Sequence, residues 1–268
     1  MPRAQPSEEH LDAKALSAVA EDAVSSGLTA LVVLRHGHIV YERYGHGVSG
    51  STEEDLADFA LVLPALVTGI AVRQGLSLPL HEGFDPAKLR DAIESGAHES
   101  YAQYLSGKLW RRLNAAPAWI AYTQGGPVPA DCCFHARLLD WMRIANLLVM
   151  DGFFEGKQVV PQGWVAHMRQ PIAADGQHGF GVLLPTAAHG AEQFGADDVF
   201  FLRGPGHWRM WLVPSLKLAV LFGAKVQQKP DPAPWDETRV LNLVLRAVSD
   251  PPNPSDPNQK LKGLVPGH

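Results

Sequence analysis

Four sets of residues in this chain carry side chains able to do chemistry. His36-Gly37-His38 spaces two imidazoles as some metal sites do. No third ligand is identifiable nearby, and the triplet reads as a hairpin turn. Cys132 and Cys133 are adjacent. Neighbours do not easily bridge, so no disulfide framework is expected. A reactive thiol would need an electropositive neighbour, for which His135 could serve. The plainer reading is two small buried hydrophobes. Asp58, at the edge of the longest apolar run, is either a buried acid with a raised pKa or a helix cap or solvated loop acid beside Glu53, Glu54 and Asp55. His207 is either a general base or ligand contact at a strand edge, or a ring that faces solvent or packs between Trp208 and Trp235. No HExxH or CxxC motif is present, and no metal or cofactor is expected.

The whole chain limits what these groups could serve. With 268 residues, 46% of them hydrophobic, it can bury the core of one large domain. A net charge of −5 argues against nucleic acid or an anionic membrane as partner, because both need a concentrated basic surface. The densest basic cluster is Arg111-Arg112 with Lys108 one turn earlier, read as a solvated helix face. The apolar run Ala57 to Gly75 is interrupted by Asp58 and Pro64 and closed by Arg73. It falls short of the ~18 uninterrupted apolar residues of a membrane span. The N-terminal MPRAQPSEEHLDAK has no apolar core of a secretory signal, so a reducing cytoplasm is the expected compartment.

Hydrophobic period supplies the elements. Leu16, Val19, Ala20, Ala23 and Val24 make one stripe of a helix over 11–25, ended by Gly27. Strands are expected over 29–34 and 39–44, joined by the histidine turn. A polar loop over 45–56 leads to a buried helix with Pro64 in its first turn and Gly75 after its end. Asp85-Pro86 starts a short helix. Helices are expected over 99–113, 136–150 and 161–169, with loop over 115–130. Strands are expected over 180–184, 199–203, 207–213 and 216–223, then a closing helix over 235–248. In the third of these strands Trp208, Met210 and Leu212 share one face, and His207, Arg209 and Trp211 the other. The proline-rich stretch 250–268 reads as a tail, leaving one domain over 1–249.

Five segments carry a resemblance: LVVLRHGHIVYERYGHG (31–47), LVTGIAVRQG (66–75), YAQYLSGKLW (101–110), FHARLLDWMRIANLLVMDGFFEGKQVVPQGWVAHM (134–168) and LRGPGHWRMWLVPSLKLAVLFG (202–223). In this order they resemble the serine β-lactamase and penicillin-binding-protein superfamily, on its class C, esterase and oligomer-hydrolase side. The resemblance implies an α+β fold, with an antiparallel sheet flanked by helices and a helical lobe, here reduced, over about 55–170.

It also implies three catalytic clusters, and each is broken here. Such enzymes open the buried helix with Ser-x-x-Lys, where the lysine eases loss of the serine proton. Counting back from Gly69, Asp58 and Leu61 occupy those slots. An acid makes a poor acyl-transfer nucleophile, and leucine carries no charge. The tyrosine or serine motif of the lobe has no counterpart among the roughly 20 residues between Leu80 and Tyr101. Tyr122-Thr123-Gln124 is similar but comes later in the chain. The triplet on an inner strand, anchored on Val213-Pro214, falls at Pro205-Gly206-His207, with Gly204 before it. Proline there removes a side chain and a backbone donor. No catalytic residue is therefore assigned. The expectation is a non-catalytic relative whose remodelled pocket, bounded by Asp58, Leu61, Tyr122, Gly204, Gly206 and His207, takes a small molecule, a protein partner or a second copy. The alternative is an active hydrolase of esters, amides or β-lactams with a relocated site, Asp58 or His207 activating water.

Overall fold

The computed structural model of the chain describes residues 1–25, 27–224 and 236–249. The proline-rich tail and Trp235 lie outside them. The helices are α1 (Ala13–Ser25), α2 (Val62–Arg73), α3 (Pro86–Ala97), α4 (Tyr101–Lys108), α5 (Leu138–Val149), α6 (Trp164–Met168) and α7 (Arg239–Arg246). The strands are β1 (Leu28–Arg35), β2 (His38–Tyr44), β3 (Glu53–Asp55), β4 (Trp119–Ile120), β5 (Phe134–Arg137), β6 (Phe153–Phe154), β7 (Lys157–Gln158), β8 (Phe200–Arg203), β9 (Arg209–Val213) and β10 (Leu218–Ala224).

The main sheet is antiparallel in the order β2-β1-β10-β9-β8. Side chains of a strand alternate between faces, and here both faces are covered. Ala30, Val32, Leu34, Met210, Leu212, Ala219 and Leu221 join the core built with α2 and α5. Leu31, Val33, Trp211, Val213, Val220 and Phe222 join the one built with α1 and α7. The expected alternation around Trp208 to Leu212 therefore holds. Every residue of β1 is buried, and its middle, Ala30 to Leu34, is an unbroken apolar run.

Helix α2 lies inside the molecule, buried from Val62 through Ala71. Pro64 stands in its first turn, and Gly75 follows its end at φ +81°. Gly69 is where another residue would not fit: a Cβ there would lie 2.6 Å from the Trp164 ring. That indole also donates to the Ala65 carbonyl at 2.9 Å. Two of the segments that carry the resemblance are thus packed against each other. Asp85 caps α3 by accepting from the amides of Ala87 and Lys88, with Pro86 at the first position.

Several expectations are corrected. Residues 180–184 form no strand; only Leu183 bridges to Phe201, beside the chain turns at Gly179 and Gly181. The helix expected from Ala136 starts at Leu138, because Phe134–Arg137 is taken up as β5. With β3 and β4 it makes a second antiparallel sheet, ordered β3-β5-β4, inside stretches read as loop. Glu53–Asp55 has neither β-branched residues nor an apolar alternation to announce a strand.

Candidate functional site

The head of the buried helix is a 3-10 turn, Ala57–Leu61, which packs against β8. Asp55 starts it by accepting the Ala57 amide at 2.9 Å. Asp58 is exposed in the first turn and caps neither helix. Of the two readings of Asp58, the exposed position supports the solvated loop acid. Leu61 is half-buried. Between them Phe59 is fully buried, edge-on to Trp141.

The facing part of the sheet is the tight connection from β8 to β9. It holds Gly204, Gly206 and His207, so the expected inner-strand triplet sits in a turn, not on a strand. Pro205 is the reason, since it cannot donate to a ladder; the turn closes with the Gly204 amide donating to the Trp208 carbonyl at 2.9 Å. One step earlier, the end of β8 and the first turn residue make another glycine-ended triplet, Leu202-Arg203-Gly204. Its Leu202 points into the α2 core, and its Arg203 points the other way to bind Glu237.

This seam is filled with carbon. A Cβ on Gly204 would lie 3.0 Å from Trp208 Cβ, 3.1 Å from the Leu56 carbonyl oxygen and 3.3 Å from Phe59. A Cβ on Gly223 of β10 would meet the Trp208 ring at 2.6 Å. The structure therefore brings the turn of Asp58 and Leu61 against the turn of Gly204, Gly206 and His207, with Phe59 and Trp208 packed between. Tyr122 is separate. It follows β4, at the far edge of the small sheet from the strand that leads to Asp58, about 10 Å across two strand spacings. Three hollows of about 830, 250 and 230 Å³ lie elsewhere, and none is lined by these six residues.

His207 is half-buried, and burial followed by the Arg209 charge lowers its pKa below the usual imidazole range. Both effects favour the neutral ring. No serine side chain bonds a lysine among the described residues. Ser49 and Ser51 bond each other at 2.9 Å in an exposed loop, and Ser49 also touches Thr52.

Two other groups found partners the sequence did not reveal. His36 and His38 both turn Nδ1 to one carboxylate, Glu9, at 2.7 and 2.8 Å. Glu9 lies 27 residues upstream of His36, beyond the reach of any local pattern. No group of three or more histidine, cysteine or acidic side chains suited to a metal ion occurs among the described residues. Cys132 and Cys133 are half-buried and form a disulfide with each other, which corrects the expectation of two free, buried thiols. Cys133 in this bridge has a left-handed backbone, φ +66°.

No protein-family model matches this chain, and no curated protein matches its sequence. Solved structures do match its fold. A candidate β-lactamase of Bacteroides dorei superimposes with a TM-score of 0.67 at 14% identity, covering 90% of this chain and 100% of that one. A penicillin-binding-protein homologue from Caulobacter crescentus gives 0.64 at 10% identity, with 87% and 97% covered. A β-lactamase from Mycobacterium bovis gives 0.62 at 13%, with 86% and 99% covered. The chain has the fold of the β-lactamase and penicillin-binding-protein-like serine hydrolases.

Proposed function

We propose that this chain, built on the serine β-lactamase-like fold, is a non-catalytic relative that binds a small molecule or a protein partner at its remodelled site. The observation that carries this reading is the content of the seam between the α2 head and the β8–β9 turn. Where the resemblance calls for a hydroxyl, an ammonium and a polar triplet, the chain has an exposed Asp58, a half-buried Leu61 and a proline-bearing turn. Phe59 and Trp208 occupy the space behind them. Acyl transfer needs a nucleophile within reach of its base and donors for the oxyanion. No such set is assembled here. Asp58, Gly204, Gly206 and His207 remain at the surface as a polar rim on which recognition could rest, with Leu61 behind and Tyr122 farther off. We place the chain in the cytoplasm; among the described residues, no helix is long and apolar enough to cross a membrane.

One feature favours a second reading, hydrolysis by a relocated base. His207 lies in the β8–β9 turn facing the α2 head, its neutral form favoured by burial, and could accept a proton from water. Both readings are decided by incubation with a chromogenic β-lactam and short-chain esters, alongside a fluorophosphonate probe. The expected result is no turnover and no labelled serine. Turnover that disappears in Asp58→Asn or His207→Ala would replace the first reading with the second.

A further inference from the structure

We propose that Cys132 and Cys133 form a reversible dithiol–disulfide site, which in its reduced state chelates thiophilic ligands such as trivalent arsenicals. The bridge joins neighbours in sequence, so it closes no chain loop and cannot act as a staple of the fold. Both residues are half-buried at the surface, open to an attacking thiolate, and accessible disulfides are the labile ones. The structure also couples the bond to its surroundings. Cys133 is held left-handed, a conformation uncommon for a residue with a side chain, and its carbonyl accepts the Ala121 amide at 2.9 Å. That bond continues the β4–β5 ladder by one pair beyond Ile120 and Phe134. On β4, Trp119 stacks on His135 of β5 with ring centroids 3.6 Å apart, and Tyr122 follows.

Reduction takes two equivalents of a small thiol. The first thiolate attacks one sulfur and displaces the other as a thiolate, which takes up a proton. The second attacks the mixed disulfide, releases the second cysteine and leaves as the small-molecule disulfide. The backbone of Cys133 is then free to leave the left-handed region, and the Trp119–His135 stack loosens with it. The reduced pair presents two thiols on one side of the chain. With phenylarsine oxide they form two arsenic–sulfur bonds, while the arsenic-bound oxygen leaves as water with both thiol protons.

The test uses the full chain, purified without reductant and treated with oxidised glutathione. Intact-mass analysis after denaturing alkylation should show no alkylated cysteine, and dithiothreitol applied to the folded protein should release two. Reduction should change tryptophan fluorescence in the wild type and leave Trp119→Phe unchanged. The reduced protein should bind one equivalent of phenylarsine oxide, and Cys132→Ser or Cys133→Ser should lose that binding. Two alkylatable thiols persisting after oxidised glutathione, or arsenical binding undiminished in Cys133→Ser, would overturn the proposal. A fluorescence change of equal size in Trp119→Phe would overturn the coupling.

Discussion

The two faces of the main sheet treat polar groups in opposite ways. On the face toward α1 and α7, a buried charge cluster survives. Glu237 is 1% exposed, takes Arg203 at 2.9 and 2.8 Å, and pairs also with the buried Arg209. Burial alone would raise its pKa, but the Arg203 hydrogen bonds, the His189 amide and the two guanidinium charges outweigh it and hold the carboxyl below the usual range. On the face toward α2, where the resemblance places catalytic charges, the corresponding volume holds Phe59, Leu202 and Trp208. On that side the buried ion pair, Asp140 with Arg143, lies on α5 and ties it to the Leu113 and Ala116 backbone, away from the Phe59–Trp208 seam. A buried ion is tolerated when a partner compensates its desolvation, as Arg203 and Arg209 do for Glu237.

Breaking the charged face should have the largest effect. Glu237→Ala strands two arginines, and loss of one partner of a buried pair costs about 3–5 kcal/mol, read as a lowered midpoint in urea. A change of under ~1 kcal/mol would mean the cluster is solvated, and the contrast between faces would fail. The same carboxyl sets an acid limb. Because its folded pKa is lowered, its contribution is complete above about pH 4.5 and is lost as pH falls through the folded value. Glu237→Gln should flatten that limb.

Phe59→Ala probes the apolar face. Removing a fully buried ring costs about 3–5 kcal/mol, the more the less the site collapses around the cavity. If the variant keeps its melting temperature, the seam is an adaptable pocket and not a packed core. Gly223→Ala should cost about 1–3 kcal/mol, because the added methyl group displaces the Trp208 ring. Near-UV circular dichroism would report the altered tryptophan environment.

The smallest effect concerns His207. Its lowered folded pKa means the stability it contributes is present above its ordinary value of 6.5 and lost as pH falls through the folded value. His207→Gln should remove this shallow dependence below pH 6.5 and leave stability near neutral pH unchanged. An identical pH profile in wild type and variant would place the ring in solvent.

Much of this architecture was legible locally. The stripe of α1, the buried run of α2 with Pro64 and Gly75 at its ends, and the Asp85-Pro86 start of α3 are interactions within a few residues, and they emerged with small shifts of boundary. The missing serine and lysine were likewise a matter of which residues stand at two positions. The small sheet was hidden because its strands are two to four residues long and one of them is acidic. The site was half legible. Residue types at 58, 61 and 205–207 could be read, but whether space remained between them could not.

What the sequence alone determined is therefore the fold and which residue types stand at the positions the resemblance singles out, since periodicity, capping and identity are properties of neighbours along the chain. The tertiary structure alone decided the partners. Glu9 closes on His36 and His38, Glu237 on Arg203 and Arg209, and Trp208 on Gly223. It also decided that two adjacent thiols meet, at a left-handed Cys133. These contacts join positions far apart in sequence or accompany an uncommon backbone angle. Neither leaves a period in the sequence, because packing selects them only after the elements have met.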